Sequence, residues 1–341
     1  MSELRKDIVN GRWVILASER SKRPDDFRPA QAAKEGAPSG FCPFCPGSES
    51  KTPPEVFAYR KPGTRRDRPG WRVRVVPNKF PALNRGLPPE RQEDGIFQWM
   101  DGIGVHEVII ENPDHGKELF DLPLSQVQDV LDAYKRRVDS IEDEYQYKYV
   151  HVFKNKGREA GASLSHPHSQ IVATPIIPKG VNEEMYSCER LHRQYGECIF
   201  CRIIRDEIRL GERLVMDDED FCVVTPFAPR FPFELRIYPK RHSPWFTTLT
   251  RRETASLAKT LKTVLLKQKT VLSDPPFNYY IHQGPNPHLP HEAWVNLQKS
   301  YHWHMEIIPV LTRVAGFEWG TGFYINPVMP EVAAGFLRDG S

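Results

Sequence analysis

The motifs in the first part of this chain recur in the same order in the second, and that repeat constrains the fold more than any other feature. A Cys-x-x-Cys pair, Cys42 and Cys45, is followed by strand-like segments, a helix pattern, another strand and the run His166-Pro167-His168. The series begins again at Cys198 and Cys201 and ends on His302-Trp303-His304. Self-similarity on this scale implies two copies of one supersecondary plan. Residues 71–76, 104–111 and 147–153 read as strands, as do 221–225, 233–239 and 278–282 in the second copy. Val127, Val130, Leu131, Tyr134, Val138 and Ile141 recur at helical spacing, and so do Leu257, Leu261, Val264 and Leu265. Each run follows a capping-box signal, Ser125 with Gln128 and Thr250 with Glu253. An Asn10-Gly11 turn joins two short strands at the start. The expectation is an α+β fold of tandem duplicated domains, 1–180 and 181–341, with antiparallel sheets and one major helix per half.

The 341 residues are enough for two cores, and 39% hydrophobic with 27% charged residues fits a soluble globular chain. No apolar run reaches the ~18 residues of a membrane span, and residues 1–7 lack the apolar segment of a secretory signal. A net charge of +3, without basic runs interleaved with aromatics, gives no ground for a nucleic-acid partner. The expected compartment is therefore the reducing cytoplasm, where paired cysteines read as metal or redox sites rather than disulfides. Cys188 and Cys222 have no such spacing and read as ordinary buried thiols.

Two thiolates on a tight turn, completed by two histidines, make a closed tetrahedral zinc shell. The first set reads as Cys42, Cys45, His115 and His166. The second reads as Cys198, Cys201, His242 and His302, with His282 and His304 as alternatives. A thioredoxin-like redox pair would open a helix in a βαβ unit, and the prolines around Cys42 and Cys45 argue against that.

Pro167 excludes a helix around it, so 166–170 should run extended, with His166, His168 and Gln170 on one face. Gly161, Ala162 and Ser163 form a small-residue loop that lets backbone approach a ligand. With His166 tied to a metal, His168 is free as nucleophile or base. Gln170 is neutral and can donate to phosphoryl oxygens without protonating anything. A leaving sugar phosphate needs no general acid, so the set suits nucleotidyl transfer through a covalent phospho-histidine. The basic residues Arg20, Lys22 and Arg23 read as a solvated loop or a phosphate clamp.

His-Pro-His-Ser-Gln, the preceding Asn-Lys-Gly loop, the Cys-x-x-Cys pair and Asn-Pro-Asp-His together resemble the galactose-1-phosphate uridylyltransferase family. That family is the transferase branch of the histidine-triad superfamily, and the likeness runs from Arg20 to about Glu318. The resemblance implies a ping-pong reaction, in which UDP-glucose uridylylates a histidine and the group then passes to galactose 1-phosphate. By position it makes His168 the nucleophile and Gln170 the residue that steadies the intermediate. It assigns phosphate contacts to Arg20, Arg23, Asn155, Gly161, Ala162 and Ser163, the nucleoside to Asn78 and the hexose to Glu318. It further implies a homodimer and a second metal that can be iron on Glu184, His282, His302 and His304. Three departures stand out. Cys198 and Cys201 resemble instead a branch with two zinc ions that includes plant ADP-glucose phosphorylase. Lys79 replaces an acidic residue beside Asn78, and Tyr324 replaces a hexose-contacting Gln. An ADP-sugar phosphorylase is thus the alternative enzyme, and a zinc-stabilised binding module the non-enzymatic one.

Overall fold

A computed structural model describes residues 2–17, 19, 23–27, 41–144, 147–290 and 295–340. The first part of the chain contributes β1 (Glu3–Lys6), β2 (Trp13–Leu16), β3 (Phe57–Arg60) and β4 (Trp71–Pro77). It continues with β5 (Gln92–Asp94), β6 (Phe97–Trp99), β7 (Val105–Ile110), α1 (Leu124–Glu144), β8 (Tyr149–Lys156) and β9 (His168–Thr174). Then come α2 (Lys179–Tyr195), α3 (Ile199–Leu210), β10 (Leu214–Asp217), β11 (Phe221–Val224), β12 (Leu235–Pro239) and α4 (Arg251–Leu272). The last elements are β13 (Phe277–His282), α5 (Leu297–Ser300), β14 (His304–Pro309), α6 (Gly316–Thr321), β15 (Tyr324–Asn326) and α7 (Pro330–Asp339).

Among the described residues one ten-stranded sheet dominates, in the order β10-β11-β12-β14-β13-β8-β9-β7-β4-β3. Every neighbouring pair in it is antiparallel. The order makes the duplication visible. Strands β3, β4, β7, β9 and β8 are matched by β10, β11, β12, β14 and β13, and the copies join where β8 pairs with β13, Tyr280 opposite Phe153. The two halves thus share one continuous sheet.

Alternation along the strands assigns the two faces. Val73, Val75, Val105, Ile109, Val150, Val152, Ile171 and Ala173 are all at most 1% exposed and share one core with the apolar stripes of α1 and α4. Each aliphatic side chain so buried contributes roughly 1.5–3 kcal/mol, which is why the helices lie on this face. On the opposite face, Val76, Val108 and Ile110 pack beneath Cys42 and Phe44 in the first copy. In the second copy, Cys222, Val224 and Tyr238 pack beneath α2 and α3 through Met185, Cys188, Leu191, Phe200 and Ile204. Between these covers the join is half-buried, and Phe153, Asn155, Gln170, Asn278 and Tyr280 stand there.

Two expectations need correction. α1 does not start at a Ser125 cap: the carbonyl of Pro123 accepts from the N–H groups of Gln126 and Val127, so Ser125 already lies inside the first turn. Pro123 suits a helix start, because its ring pre-sets φ. The second half also holds more than one major helix. The signals for α2 and α3 were present, since each ends on a glycine with positive φ, Gly196 and Gly211. α4 does carry its capping box, with Thr250 Oγ1 accepting from Glu253 N–H and Thr250 N–H donating to Glu253 Oε2. Thr250→Ala should therefore lower unfolding free energy by about 1 kcal/mol. Ser125→Ala should change it by less than about 0.5 kcal/mol. Urea denaturation with unchanged m-values compares the two.

Candidate active site and metal-binding clusters

β9 carries the centre of the site. Ser169 turns its hydroxyl to the core side, where it bonds Glu111 and Tyr134, and Tyr134 bonds Tyr279 at 2.7 Å. Glu111 is also paired with Lys154, which reaches Glu118 at 2.7 Å. Burial opposes the charge on Lys154, but Glu111 and Glu118 outweigh it and hold the ammonium above its usual range. With Ser169 anchored below, alternation directs His168 and Gln170 to the open face.

His168 is 6% exposed and packs edge-on against Phe44, ring centroids 5.3 Å apart. Its Nδ1–H donates to the carbonyl of His166 at 2.8 Å, which leaves the lone pair on Nε2. Burial, reinforced by the Lys154 charge, lowers its pKa below the ordinary histidine value, so the ring stays neutral. A neutral, oriented imidazole with an available lone pair can act as a nucleophile or as a base. Gln170 Oε1 lies 2.8 Å from His106 Nε2, and Asn78 Nδ2 lies 3.1 Å from the same nitrogen. Asn155 stands on β8 and accepts a hydrogen bond from Asn278 at 2.8 Å. Gly161 has φ of +90°, and a Cβ there would come within 3.6 Å of Asn155 Nδ2. The positive φ is what calls for glycine, since the added Cβ would make only an ordinary contact. Ala162 and Ser163 continue that loop, Ala162 N–H bonding the Gly157 carbonyl.

The other expected contacts are Arg20, Arg23 and Glu318. Arg20 lies outside the described residues. Arg23 is exposed beside the 3-10 turn Pro24–Phe27, its N–H bonded to Asp26. Glu318 accepts from the backbone of Ala315 at the start of α6. Neither is drawn to His168 among the described residues. His106, Phe44 and Ser169 join the site without having been singled out. His106 lay in a recognisable strand, but only the register places it two residues from the one opposite Gln170.

Two four-residue clusters gather on the open face, Cys42, Cys45, His115, His166 and Cys198, Cys201, His242, His302, with all ligand atoms of each within 4.8 Å of one another. In the first, Cys45 Sγ lies 3.4 Å from His115 Nδ1 and 3.6 Å from His166 Nδ1, and Cys42 Sγ lies 3.7 Å from His166 Nδ1. In the second, Cys201 Sγ lies 3.3 Å from His242 Nδ1 and 3.5 Å from His302 Nδ1. A tetrahedral ion with bonds of about 2.3 Å to sulfur and about 2.0–2.1 Å to nitrogen sets such atoms about 3.5 Å apart, so both clusters fit one. The other ring nitrogens donate outward: His166 to the Asn112 carbonyl, His115 to Ser165, His242 to the Gln298 carbonyl and His302 to the Pro239 carbonyl. That outer bonding orients Nδ1 for a metal. Burial holds His166 down to about 4, in the neutral form a ligand requires. Cys198 and the facing His242 and His302 keep the Cys201 thiol well below its ordinary range. The first pair forms a turn, whereas Cys198 caps α3 and Cys201 lies in its first turn.

Glu184, His282 and His304 form a separate group. His282 is clamped between Glu184 at 3.1 Å and Glu306 at 3.3 Å. Burial opposes its charge, but the two carboxylates raise it to about 9. In the second copy, Glu306 stands where Gln170 stands in the first, opposite Tyr280 as Gln170 is opposite Phe153. Its carboxylate is bound by Arg230, and Arg236 is paired beside it. His304, the counterpart of His168, is 1% exposed, stacked on His282 at 4.2 Å and covered by Phe200 at 4.7 Å. The second copy is closed by its own side chains.

The duplicated antiparallel sheet, with a His-x-Gln strand in its first copy, defines an α+β class of protein, and comparison with known proteins narrows that class to a family. Residues 1–178 match the N-terminal domain of galactose-1-phosphate uridyl transferase, and residues 181–326 match its C-terminal domain. The chain belongs to the galactose-1-phosphate uridylyltransferase family. It is 38% identical to ADP-glucose phosphorylase of Arabidopsis thaliana, over 99% of this chain and 92% of that protein. It is 31% identical to galactose-1-phosphate uridylyltransferase of Thermotoga maritima, over 99% and 98%. The crystal structure of the A. thaliana phosphorylase with bound ADP-glucose superposes with a TM-score of 0.82 at 36% identity, over 100% of both chains. No helix among the described residues is long and apolar enough to cross a membrane.

Cys45→Ala should lower the divalent-metal content by one ion per chain and depress the thermal midpoint. Cys188→Ala, outside both clusters, should leave the metal content unchanged. Elemental analysis of the purified variants measures both.

Proposed function

We propose that the protein transfers a nucleotidyl group from a nucleotide sugar to a phosphate-bearing acceptor through a covalent intermediate on His168. The observation that carries this reading is the Nδ1–H bond from His168 to the His166 carbonyl, which leaves Nε2 as the attacking atom. Nε2 bonds the α-phosphorus and the pyrophosphate P–O bond breaks, releasing sugar 1-phosphate as a stable anion. Positive charge on the modified ring is met by the His166 carbonyl. An acceptor phosphate oxygen then attacks the same phosphorus and expels Nε2. No proton moves in either step, consistent with a neutral Gln170 in place of an acid. Asn155 and the loop of Gly161, Ala162 and Ser163 would bind the phosphoryl oxygens, and Asn78 the nucleoside.

Both Cys2His2 clusters would hold zinc as scaffold, since four protein ligands leave no open position for chemistry. Bound metal would supply folding energy and hold His166, whose carbonyl orients His168. The enclosed His304 and ion-paired Glu306 support a single nucleophile per chain.

UDP-glucose with galactose 1-phosphate is the first reading of donor and acceptor, supported by the family and by the T. maritima relative. ADP-glucose with inorganic phosphate is the second. It is favoured by the A. thaliana relative, by Lys79 beside Asn78 and by the paired cysteines of the second half. The first reading supports a homodimer in the cytoplasm.

Steady-state turnover with each donor and acceptor in all four combinations decides between them. Galactose 1-phosphate with UDP-glucose should give the highest kcat/KM; if ADP-glucose with phosphate does, the second reading holds. In either case His168→Asn should lower turnover on the order of 10³-fold or more. Undiminished turnover in that variant would refute the covalent route.

A further inference from the structure

β7 places His106 one strand over from Gln170, on the open face, where its ring is held at both nitrogens. The backbone N–H of Ala82 points at Nδ1 from 3.0 Å. A backbone amide can only donate, so Nδ1 must be the unprotonated nitrogen and Nε2 carries the hydrogen of the neutral ring. Nε2–H in turn can only donate. The atom of Gln170 that faces it at 2.8 Å is therefore the carbonyl Oε1.

The amide NH2 of Gln170 consequently turns away from His106. The opposite tautomer would satisfy Asn78 Nδ2 at 3.1 Å, but it would set Nδ1–H against the Ala82 N–H. Asn78 is itself fixed, because its Oδ1 accepts from Phe80 N–H at 2.9 Å. Its Nδ2 stays 3.1 Å from Nε2, a longer contact than the 2.8 Å bond to Gln170. The two ends of a carboxamide have nearly the same shape, so packing alone does not choose between them, and a one-way donor is needed to do so.

We propose that His106 is a positioning residue: it locks the Gln170 carboxamide with its NH2 group aimed at the phosphoryl group carried by His168. The proposal rests on the nucleotidyl-transfer reading and deepens it. Donor hydrogens pointed where charge develops stabilise a transition state, whereas a reversed amide would present its carbonyl oxygen to phosphoryl oxygens and repel them. His106 also joins the loop of 78–82 to Gln170, so its orienting bond begins in the backbone of that loop.

The test is rapid-quench formation of the nucleotidyl-enzyme at saturating nucleotide sugar, using UDP-glucose and ADP-glucose in turn. His106→Leu keeps the bulk but removes both ring nitrogens. It should slow adduct formation roughly 10- to 100-fold while the KM for the donor and the thermal midpoint hold, somewhat less than the loss expected on deleting an oxyanion donor outright. His106→Gln, whose amide nitrogen can occupy the place of Nε2, should recover most of the rate. In a Gln170→Ala background, His106→Leu should cost no further rate, since no amide remains to orient. A rate within twofold of wild type in His106→Leu, or losses that multiply in the double variant, would overturn the proposal. Nitrogen-15 NMR of the wild-type protein reads the tautomer without any turnover: a hydrogen on Nε2 supports the proposal, and one on Nδ1 overturns it. If the wild type forms no adduct with either donor, the transfer reading fails, while the tautomer still decides the geometry.

Discussion

Glu111 and Lys154 form an ion pair sealed inside the core face of the sheet, each at most 1% exposed, and the placement of His168 follows from it. Charges so far from water persist only when every partner is in place. Here the Glu111 carboxylate also takes the Ser169 hydroxyl, which Tyr134 shares, while Lys154 takes Glu118. These contacts tie β7, β8, β9 and α1 together at the level of Ser169. A strand pinned through one residue presents its two neighbours on the other face. His168 and Gln170 are those neighbours, and their direction is set from beneath.

The same sheet holds a second strand of the same ancestry with the opposite outcome. His304 and Glu306 occupy the matching positions on β14, yet His282 and Phe200 cover the ring, and Arg230 and His282 bind the carboxylate. Glu306 has been drawn well below the usual carboxylate range, because Arg230 and His282 outweigh its burial. An internal charge network thus surrounds the residue that matches Gln170. The Cys2His2 arrangement is present in both copies. The copies differ beside it: His168 is 6% exposed and two residues from a neutral Gln170, whereas His304 is 1% exposed and two residues from an ion-paired Glu306.

Much of this was legible in the sequence. Strand alternation, the apolar stripes of α1 and α4, and the repeated motif order indicated a duplicated antiparallel fold, and the paired cysteines indicated where loops must meet. The fusion of both halves into one sheet was not legible, because pairing of β8 with β13 is a choice of edge that no local pattern records. The expectation of one major helix per half leaves out α2 and α3, although their helical stripes and terminal glycines are readable. The roles of Ser169, Glu111 and His106 depend on which residue faces which across strands. A histidine in an alternating strand looks the same whether it points to solvent or to Gln170.

The central claim is that only His168 is free to carry the nucleotidyl group. Intact-mass measurement after brief mixing with UDP-glucose or ADP-glucose, followed by peptide mapping under alkaline conditions, tests it most directly. The account predicts a mass increase of one nucleotide per chain, located on the peptide that contains His168 and absent in His168→Asn. An unmodified protein with both donors, or a nucleotide found on His304 or elsewhere, would contradict it.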